Sequence, residues 1–290
     1  MKIKKSLEDR CVDIFVYSFL IIYALITFYP LLYVVAASFS DSDALLGYGG
    51  FLWKPVKPTL EAYKVIMGYN MIWTGFKNTF FVVFVGLAVN LVLTILGAYF
   101  MSRHDVYFKK PITMLMIFTM YFSGGMIPTF LNVQDLGLYD SLWSVILTAG
   151  ISTYNMILMR TSFASIPISI EESAAIDGAN DFVILLKIIL PLSTPIIAVM
   201  TLYYGVAHWN SWFPAMIYLQ SRDKAPLQLV LREILIQNQM DNIGSAEEGA
   251  TIEQTAKYAI IVVATLPILL MYPFLQKYFV KGVMIGSVKG

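Results

Sequence analysis

Long apolar stretches recur six times along the chain and alternate with shorter polar segments. A helix needs roughly 20 mainly apolar residues to cross a hydrocarbon core about 30 Å thick, because it rises only about 1.5 Å per residue. Six stretches reach that length, and they cover residues 12–39, 73–101, 111–131, 142–163, 193–219 and 256–280. The pattern therefore predicts an all-α integral membrane protein with six transmembrane helices.

The first apolar stretch follows a basic segment, as a secretory signal does; this segment holds Lys2, Lys4, Lys5 and Arg10. The stretch is about twice as long as the apolar part of a signal peptide, so we interpret it as a retained first span. Lys and Arg near helix ends are kept on the cytoplasmic side of a membrane. With the N-terminus inside, twelve such residues fall on cytoplasmic segments and eight on outer ones. Both termini are therefore predicted to be cytoplasmic.

Composition agrees with a membrane environment and excludes several kinds of site. Only 13% of the residues are charged and 58% are hydrophobic, whereas a soluble domain has about a quarter charged residues. The net charge of +1 gives no field that attracts nucleic acid. The single cysteine, Cys11, excludes an internal disulfide and a multi-cysteine metal site. Two polar segments, 40–71 and 220–255, are predicted to be outer loops of a single membrane domain that covers residues 1–290.

The polar segment between the fourth and fifth stretches has the local signals of a helix, a turn and a second helix. Ser169 followed three residues later by Glu172 predicts a capping box at the start of a short helix. Gly178 provides the positive φ that often ends a helix, and Asn180 or Asp181 can cap the next one. Two prolines, at 191 and 195, mark the boundary between the second helix and the fifth span. The segment is therefore predicted to project as a compact knob on the cytoplasmic side.

A family motif coincides with this knob. Its residues are Glu172, Ser173, Ala174, Gly178, Ile188, Leu190 and Pro191. Their spacing resembles the coupling loop of ABC importer permeases, with Ser173 where that family usually has alanine. The resemblance implies a type I ABC importer permease fold in which residues 165–192 couple the spans to a partner ATPase. A short helix with small residues would dock in a groove of the partner, and the carboxylates of Glu172 and Asp177 would meet basic groups there. The alternative is an ordinary capped hairpin in which Asp177-Gly178 is only a turn.

Three other segments resemble permeases of the maltose-type carbohydrate uptake family, and most of all the branch that handles complex plant or algal oligosaccharides. They are residues 123–129, the pair Trp209-Asn210, and residues 276–290. For the Ser-Gly-Gly stretch at 123–125 the alternative is a plain helix break, which is tolerated where protein or water covers the backbone. The resemblance implies a bacterial cytoplasmic membrane protein that imports a sugar by alternating access. Its partners would be a second permease subunit, two ATP-binding subunits and an extracytoplasmic solute-binding protein. ATP and Mg²⁺ would be bound by the partner ATPase, since this chain has no P-loop sequence and is predicted to bind no cofactor.

Polar residues inside spanning segments usually face the interior of the bundle or a water-filled path. In the fifth segment such residues are Thr201, Tyr204, His208, Trp209, Asn210 and Trp212, and in the second Asn90. Thr201, Tyr204, His208 and Trp212 share a helical stripe and Asn210 points nearly opposite. Such a stripe suits a sugar path, because aromatic faces pack on sugar rings while polar groups bind hydroxyls. Helix packing is the alternative for this stripe. For a similar stripe in the second segment, close packing of small residues is favoured; it comprises Thr79, Gly86, Asn90, Thr94 and Gly97.

Other classes of membrane protein fit the sequence less well. An intramembrane enzyme needs a nucleophile with a base or paired carboxylates, and an ion-coupled transporter usually needs buried acidic residues. No Asp or Glu occupies an inward-facing position of any predicted span. His208 has no second histidine or carboxylate near it in sequence, so no metal site and no catalytic residue are predicted. An ABC importer permease for a solute other than a sugar remains the nearest alternative.

Overall fold

The computed structural model describes residues 7–103, 106–237, 254–271 and 273. These residues are helical apart from turns, loops and one isolated β-bridge between Ser40 and Pro58. The α-helices are α1 Leu7–Ser38, α2 Ser42–Leu46, α3 Glu61–Gly68, α4 Asn70–Ser102, α5 Lys109–Tyr121, α6 Met126–Asp135, α7 Leu142–Leu147, α8 Thr153–Ala164, α9 Ile168–Ile176, α10 Asp181–Ile184, α11 Leu190–Leu192, α12 Thr194–Trp209, α13 Trp212–Tyr218, α14 Leu227–Gln237 and α15 Gln254–Met271. A π-helical turn, Leu185–Ile189, joins α10 to α11, and a 3₁₀ turn, Arg222–Lys224, precedes α14. The predicted all-α class is confirmed for these residues.

Three of the described helices, α1, α4 and α15, are each long and apolar enough to cross a bilayer. Two bent pairs of helices raise that number to five if each pair forms one span. The first pair is α5 with α6, bent by 115°, and the second joins the run from Asp181 to Leu192 with α12 at 83°. Six spans therefore stay a prediction. Residues 238–253 of the second outer loop and residues 272 and 274–280 of the sixth predicted span lie outside the described residues.

The third predicted span is a broken helix. Residues 122–125 separate α5 from α6, and Gly125 adopts a φ of +89°, which only glycine adopts at little steric cost. A continuous helix over 111–131 is therefore wrong, and the alternative interpretation of the Ser-Gly-Gly stretch as a helix break is confirmed. The break falls in the Ser-Gly-Gly stretch that the carbohydrate permease resemblance had singled out.

The fourth predicted span is interrupted as well, so a continuous helix over 142–163 is also wrong. The backbone leaves helical geometry between α7 and α8, and each of these helices has a serine cap at its start. Ser141 Oγ accepts a hydrogen bond from the Trp143 amide, and Ser152 Oγ accepts one from the Asn155 amide, both at 3.3 Å. Serine caps compete with helix continuation because they satisfy backbone groups locally.

Two compact units divide the chain. The first comprises Met1–Tyr69 and Glu233–Thr265, and the second comprises Asn70–Arg232 and Leu266–Gly290. In the first unit, most apolar side chains of α1 up to Leu31 are largely exposed. A helix with so little contact to its own chain is expected to lie against lipid or another membrane helix.

The second unit has a hydrophobic core where α4, α8, the π-helical turn and α12 meet. Its buried side chains are Ala98, Tyr99, Met101, Met156, Met159, Phe163, Ile184, Leu185, Ile189, Met200 and Tyr204. Ala174 and Ala179 pack against this core from the loop that was predicted to couple to an ATPase. The core therefore connects that loop directly to two long apolar helices.

Candidate functional site: a projecting helical knob

The predicted knob consists of α9, a tight turn and α10. Its first helix begins at Ile168 after Pro167, whose φ of −57° and ψ of 129° already give the extended backbone of an N-cap. Ser169 therefore lies inside the first turn, and its carbonyl accepts a hydrogen bond from Ser173 Oγ at 2.8 Å. The predicted capping box between Ser169 and Glu172 is wrong, since the helix starts after Pro167, two residues earlier than it would after a Ser169 cap.

The turn and the second cap are confirmed. Gly178 follows α9 with a φ of +84°. The amide of Gly178 donates to the Ala175 carbonyl at 3.0 Å, and the Ala179 amide donates to the Ala174 carbonyl at 2.9 Å. These two bonds form a Schellman motif, which ends a helix and fixes the chain direction after it. Asn180 then caps α10, because its side chain accepts from the Val183 amide at 2.9 Å.

The outer face of α9 is open. Glu172, Ser173 and Asp177 are exposed, and the side chain of Ile176 is 86% exposed at the tip of the helix. Phe182, at the start of α10, adds a second exposed apolar side chain to the knob. An apolar tip flanked by carboxylates is the surface that a short helix presents when it enters a groove of a partner with basic groups. Among the residues that the structure describes, the packing within the second unit leaves this surface free.

The inner face of α9 is held by charge as well as by packing. Glu171 forms an ion pair with Arg103, which directly follows α4, and Asp181 lies 3.6 Å from the same guanidinium group. The guanidinium carbon sits 5.3 Å from the centre of the Tyr99 ring, and Tyr99 Oη donates to the Asp181 carbonyl at 3.3 Å. This cluster is not among the sites predicted from the sequence. The signals for it were an arginine immediately after the second span and a second glutamate just before the motif.

The remaining motif residues connect the knob to the core. Ile188 lies in the π-helical turn, whose neighbours Leu185 and Ile189 are buried. Leu190 and Pro191 form the short helix α11, and the chain turns by 83° before α12. Pro195 lies at the beginning of α12, where proline is tolerated because the first amides of a helix have no internal partner. The predicted boundary between knob and fifth span is therefore confirmed, with the bend falling between the two prolines.

Three polar residues that were predicted to line a path are instead buried together. Asn90, Tyr204 and His208 are at most 4% exposed. Asn90 Nδ2 donates to the carbonyls of Ala149 and Gly150 at 2.6 and 2.8 Å, so its Oδ1 accepts from His208 Nε2 at 2.5 Å.

The hydroxyl of Tyr204 completes this network. It shares a hydrogen bond of 2.7 Å with Thr94 Oγ1 and accepts one of 3.1 Å from the Ser152 amide. The network thus satisfies backbone groups that the interruption between α7 and α8 leaves without helical partners. For these side chains the geometry favours the packing alternative over the path.

Close helix packing accounts for the stripe in the second segment, as predicted. A β-carbon added to Gly86 would lie 2.5 Å from His208 Nε2, and one added to Gly97 would overlap Met156 Sδ. Thr79 and Thr94 are fully buried. Small residues at this spacing therefore let α4 approach α8 and α12.

The other candidates of the fifth segment do not share one stripe. Thr201 is half-buried and bonds to the Ile197 carbonyl, Trp209 is buried against Phe76 and Phe80, and Asn210 is exposed. Trp212 begins α13, because helical geometry is interrupted at residues 210–211. Its predicted place on the Thr201 stripe is therefore wrong.

Trp212 meets a charge that the sequence analysis overlooked. The guanidinium carbon of Arg232, on α14, lies 4.9 Å from the centre of the Trp212 ring. Both side chains are half-exposed. The start of α14 is fixed to α4, since the Leu227 amide donates to Thr79 Oγ1 at 2.8 Å. A cation over an indole face is attractive, and the pair leaves part of each group accessible.

A second charged cluster fixes the segment before α14. The Asp140 carboxylate accepts from the amides of Gln220 and Ser221 at 2.9 Å, from Ser221 Oγ, and from Lys224 Nζ at 2.8 Å. The hydrogen bond from Lys224 and those from Ser221 hold the pKa of Asp140 well below its usual value. The loop after α13 is thereby joined to the loop before α7.

The chain matches known proteins over most of its length. Residues 111–285 match the family described as binding-protein-dependent transport system inner membrane component. The chain is 44% identical over 289 residues to the polygalacturonan/rhamnogalacturonan transport system permease protein YtcP of Bacillus subtilis (strain 168), with 98% of this chain and 100% of that protein covered. Protein LplC of the same organism is 42% identical over 267 residues, which are 91% of this chain and 90% of that protein.

A solved structure agrees with these relatives. The crystal structure of a bacterial ABC transporter involved in the import of the acidic polysaccharide alginate superposes with a TM-score of 0.88 and 35% identity, covering 96% of this chain and 100% of that one. The all-helical fold is therefore that of an ABC importer permease, as predicted. The chain is a transport subunit that belongs to the family of binding-protein-dependent transport system inner membrane components.

Proposed function

We propose that this chain is the permease subunit of an ATP-driven importer that carries an oligosaccharide containing uronic acid across the bacterial cytoplasmic membrane. The observation that carries the proposal is the open outer face of the knob, with Ile176 at its tip and Glu172 and Asp177 beside it. Nothing in the second unit covers this face among the described residues, while the inner face is anchored to the core. A surface of this kind suits a separate protein that drives the membrane helices.

The proposed energy source is ATP hydrolysis by two partner subunits that bind ATP and Mg²⁺. Their closure on ATP would move α9, and the helices joined to the core would turn the solute path outward. A second permease subunit would supply the other half of the path. An extracytoplasmic binding protein would deliver the sugar, as the description of the family implies. Both termini of the chain and the knob would then lie on the cytoplasmic side.

The substrate class is supported by relatives and by one pair of side chains. YtcP is named for polygalacturonan and rhamnogalacturonan, and the structural relative imports alginate, an acidic polysaccharide. In this chain, the partly exposed Arg232 lies over Trp212, so that a guanidinium group stands beside an aromatic face. Arginine matches the fork geometry of a carboxylate, and an aromatic face packs on a sugar ring. This pair therefore suits a uronic acid unit better than a neutral sugar.

Docking of the ATPase can be tested by co-purification. The chain is expressed with its second permease and ATPase subunits, and the amount of ATPase that stays with it in detergent is measured. Gly178→Asp is expected to lose most of the ATPase, because aspartate strains the positive φ in the turn that follows α9 and adds charge to the docking face. Glu172→Lys is also expected to lose most of the ATPase, because the new positive charge would face the basic groups of the partner.

Matched controls separate docking from general damage to the fold. Gly137 also has a positive φ and is exposed, and it lies on the predicted outer side, so Gly137→Asp imposes the same strain elsewhere. Glu61→Lys reverses an exposed charge on that side. Both controls are expected to keep the ATPase. Retention by Gly178→Asp and Glu172→Lys as well would contradict the proposed docking surface.

A further inference from the structure

Arg103 occupies a junction between the knob and the longest helix of the second unit. It follows Ser102, the last residue of α4, and its side chain reaches the inner face of α9. The side chain of Arg103 is 19% exposed and that of Glu171 is 15% exposed. Water therefore screens this ion pair much less than it screens a pair at an open surface.

The guanidinium group joins three elements at once. It pairs with Glu171 of α9, approaches Asp181 of α10, and stacks over Tyr99 of α4. A planar guanidinium group can serve two carboxylates and a ring together, whereas a lysine ammonium group is a point charge on a flexible stem. The cluster therefore fixes the direction as well as the distance between the knob and α4.

Without this cluster α9 would be held on the core mainly by small side chains, whereas α10 is held there by the buried Ile184. Ala174 and Ala179 pack on the core from this side, and alanines bury little area. The covalent connections lead from α9 back to α8 and forward to α10. Arg103 thus provides a direct, charged contact between α9 and α4, which the chain path alone does not supply.

Movement of α4 would reach other helices through contacts already described. Asn90 of α4 binds the carbonyls of the interrupted fourth segment and meets His208 of α12. Gly86 and Gly97 let the same helix lie close to its neighbours. Packed interiors transmit displacement because they deform little.

We propose that Arg103 is a positioning residue that passes the movement of α9 to α4, so that ATP hydrolysis by the partner is converted into reorientation of the path. This inference rests on the proposed function, in which an ATPase moves α9. It assigns a role to a residue outside the coupling motif. The contact between Arg103 and Glu171 would then set how much sugar is imported for each ATP hydrolysed.

The test uses the complete complex with its partner subunits and binding protein in proteoliposomes, with an oligogalacturonate digest as substrate. Uptake and ATP hydrolysis are measured for Arg103→Glu, Glu171→Arg, the double swap and Arg103→Lys. Each single reversal is expected to lower uptake about tenfold while ATP hydrolysis changes by less than about threefold, since a coupling contact is lost and the docking face is intact. The ratio of sugar imported to ATP hydrolysed therefore falls.

Rescue separates positioning from simple damage. The double swap is expected to restore uptake to within about threefold of the original protein, because the opposite charges again face each other. Uptake by Arg103→Lys should lie between that of the single reversals and that of the original protein. Lys110→Glu reverses an exposed cation at the start of α5 and should leave the ratio unchanged. If a single reversal does not assemble, recovery of assembly and uptake in the double swap supports the proposal.

The inference is overturned if both single reversals import as the original protein does, or if the double swap is no better than the weaker single variant. This outcome is distinct from failure of the proposed function, which appears as retention of the ATPase by Gly178→Asp in the same preparations. If Gly178→Asp loses the ATPase while Arg103→Glu keeps the original ratio of sugar imported to ATP hydrolysed, the role of Arg103 is refuted and the proposed function stands.

Discussion

The knob and the buried network of the second unit use polar residues in opposite ways. Around Asn90, Tyr204 and His208, polar atoms find partners inside the chain and the side chains are shielded. On the outer face of α9, Glu172 and Asp177 stand exposed beside the apolar tip at Ile176. Polar residues in a membrane protein therefore have two roles that composition alone does not separate. The network stabilises the unit internally, and the knob is available to another protein.

The largest effect is expected for removal of the central amide of the network. Asn90→Leu would leave the carbonyls of Ala149 and Gly150 and the ring nitrogen of His208 without this partner. We expect a loss of about 2–3 kcal/mol in stability, since buried polar groups that lose their partners are costly. The unfolding temperature in detergent measures this loss.

Asn210→Leu is the matched control. Asn210 directly follows α12 and is exposed, so this substitution should change stability little. Equal stability of the two variants would show that the network does not hold the interrupted segment, and the contrast between network and knob would fail.

A smaller loss is expected from crowding the same region. In Gly86→Ala the new methyl group would lie 2.5 Å from His208 Nε2, so the His208 ring or the backbone of α4 or α12 must move. Overpacking of this kind costs about 1–3 kcal/mol. Gly205→Ala adds the same methyl group on α12 where no atom lies within 4 Å. Thermal unfolding of the two variants should differ clearly, and similar curves would argue against tight packing at Gly86.

Transport should respond to the charge over Trp212. Arg232→Ala removes the guanidinium group, and we expect about a fivefold higher half-saturating concentration for oligogalacturonate import, because a half-exposed cation contributes about 1 kcal/mol. Import of a neutral oligosaccharide of similar length, if it occurs, should change less. Arg232→Lys should recover part of the loss.

An equal effect of Arg232→Ala on acidic and neutral substrates would assign Arg232 to packing of α14. The preference for a uronic acid unit would then have no support from this pair of side chains.

The smallest effect concerns Asp140, which is charged yet fully engaged by Ser221 and Lys224. Because its pKa is lowered in the folded protein, the carboxylate contributes stability above the unfolded pKa of about 3.9, and this contribution is lost as the pH falls further toward the folded pKa. The difference in unfolding temperature between the original protein and Asp140→Asn should therefore be constant near neutral pH and shrink below about pH 4. If the two unfolding temperatures differ by the same amount at every pH, the charge of Asp140 does not contribute to stability.

Local signals in the sequence predicted the knob well. Gly178 and Asn180 act through their immediate neighbours, so the turn and the second cap followed from residue type. The capping box failed because Pro167 competes for the same helix start. The predicted relationship to carbohydrate-uptake permeases is confirmed by relatives such as YtcP.

Features that depend on distant residues could not be predicted. The fourth segment is apolar enough for a continuous helix, yet its interruption is stabilised by Asn90 and Tyr204 from other helices. Apolar length alone does not report such contacts. The pair Arg103–Glu171 likewise forms only when the end of α4 meets α9. The segment 276–290, which contributed to the family resemblance, lies outside the described residues.

Site-directed cross-linking tests the central claim most directly. Cys11 is the only cysteine of the chain and is exposed, so Cys11→Ser gives a background without thiols. Ile176→Cys then places one thiol at the tip of α9, and a photoactivatable maleimide attached there is illuminated in the assembled complex. Leu136→Cys, 65% exposed on the predicted outer side, is the matched position. The account predicts that Ile176→Cys becomes joined to the ATPase subunit while Leu136→Cys does not, and absence of that product, or equal yield at both positions, would contradict it.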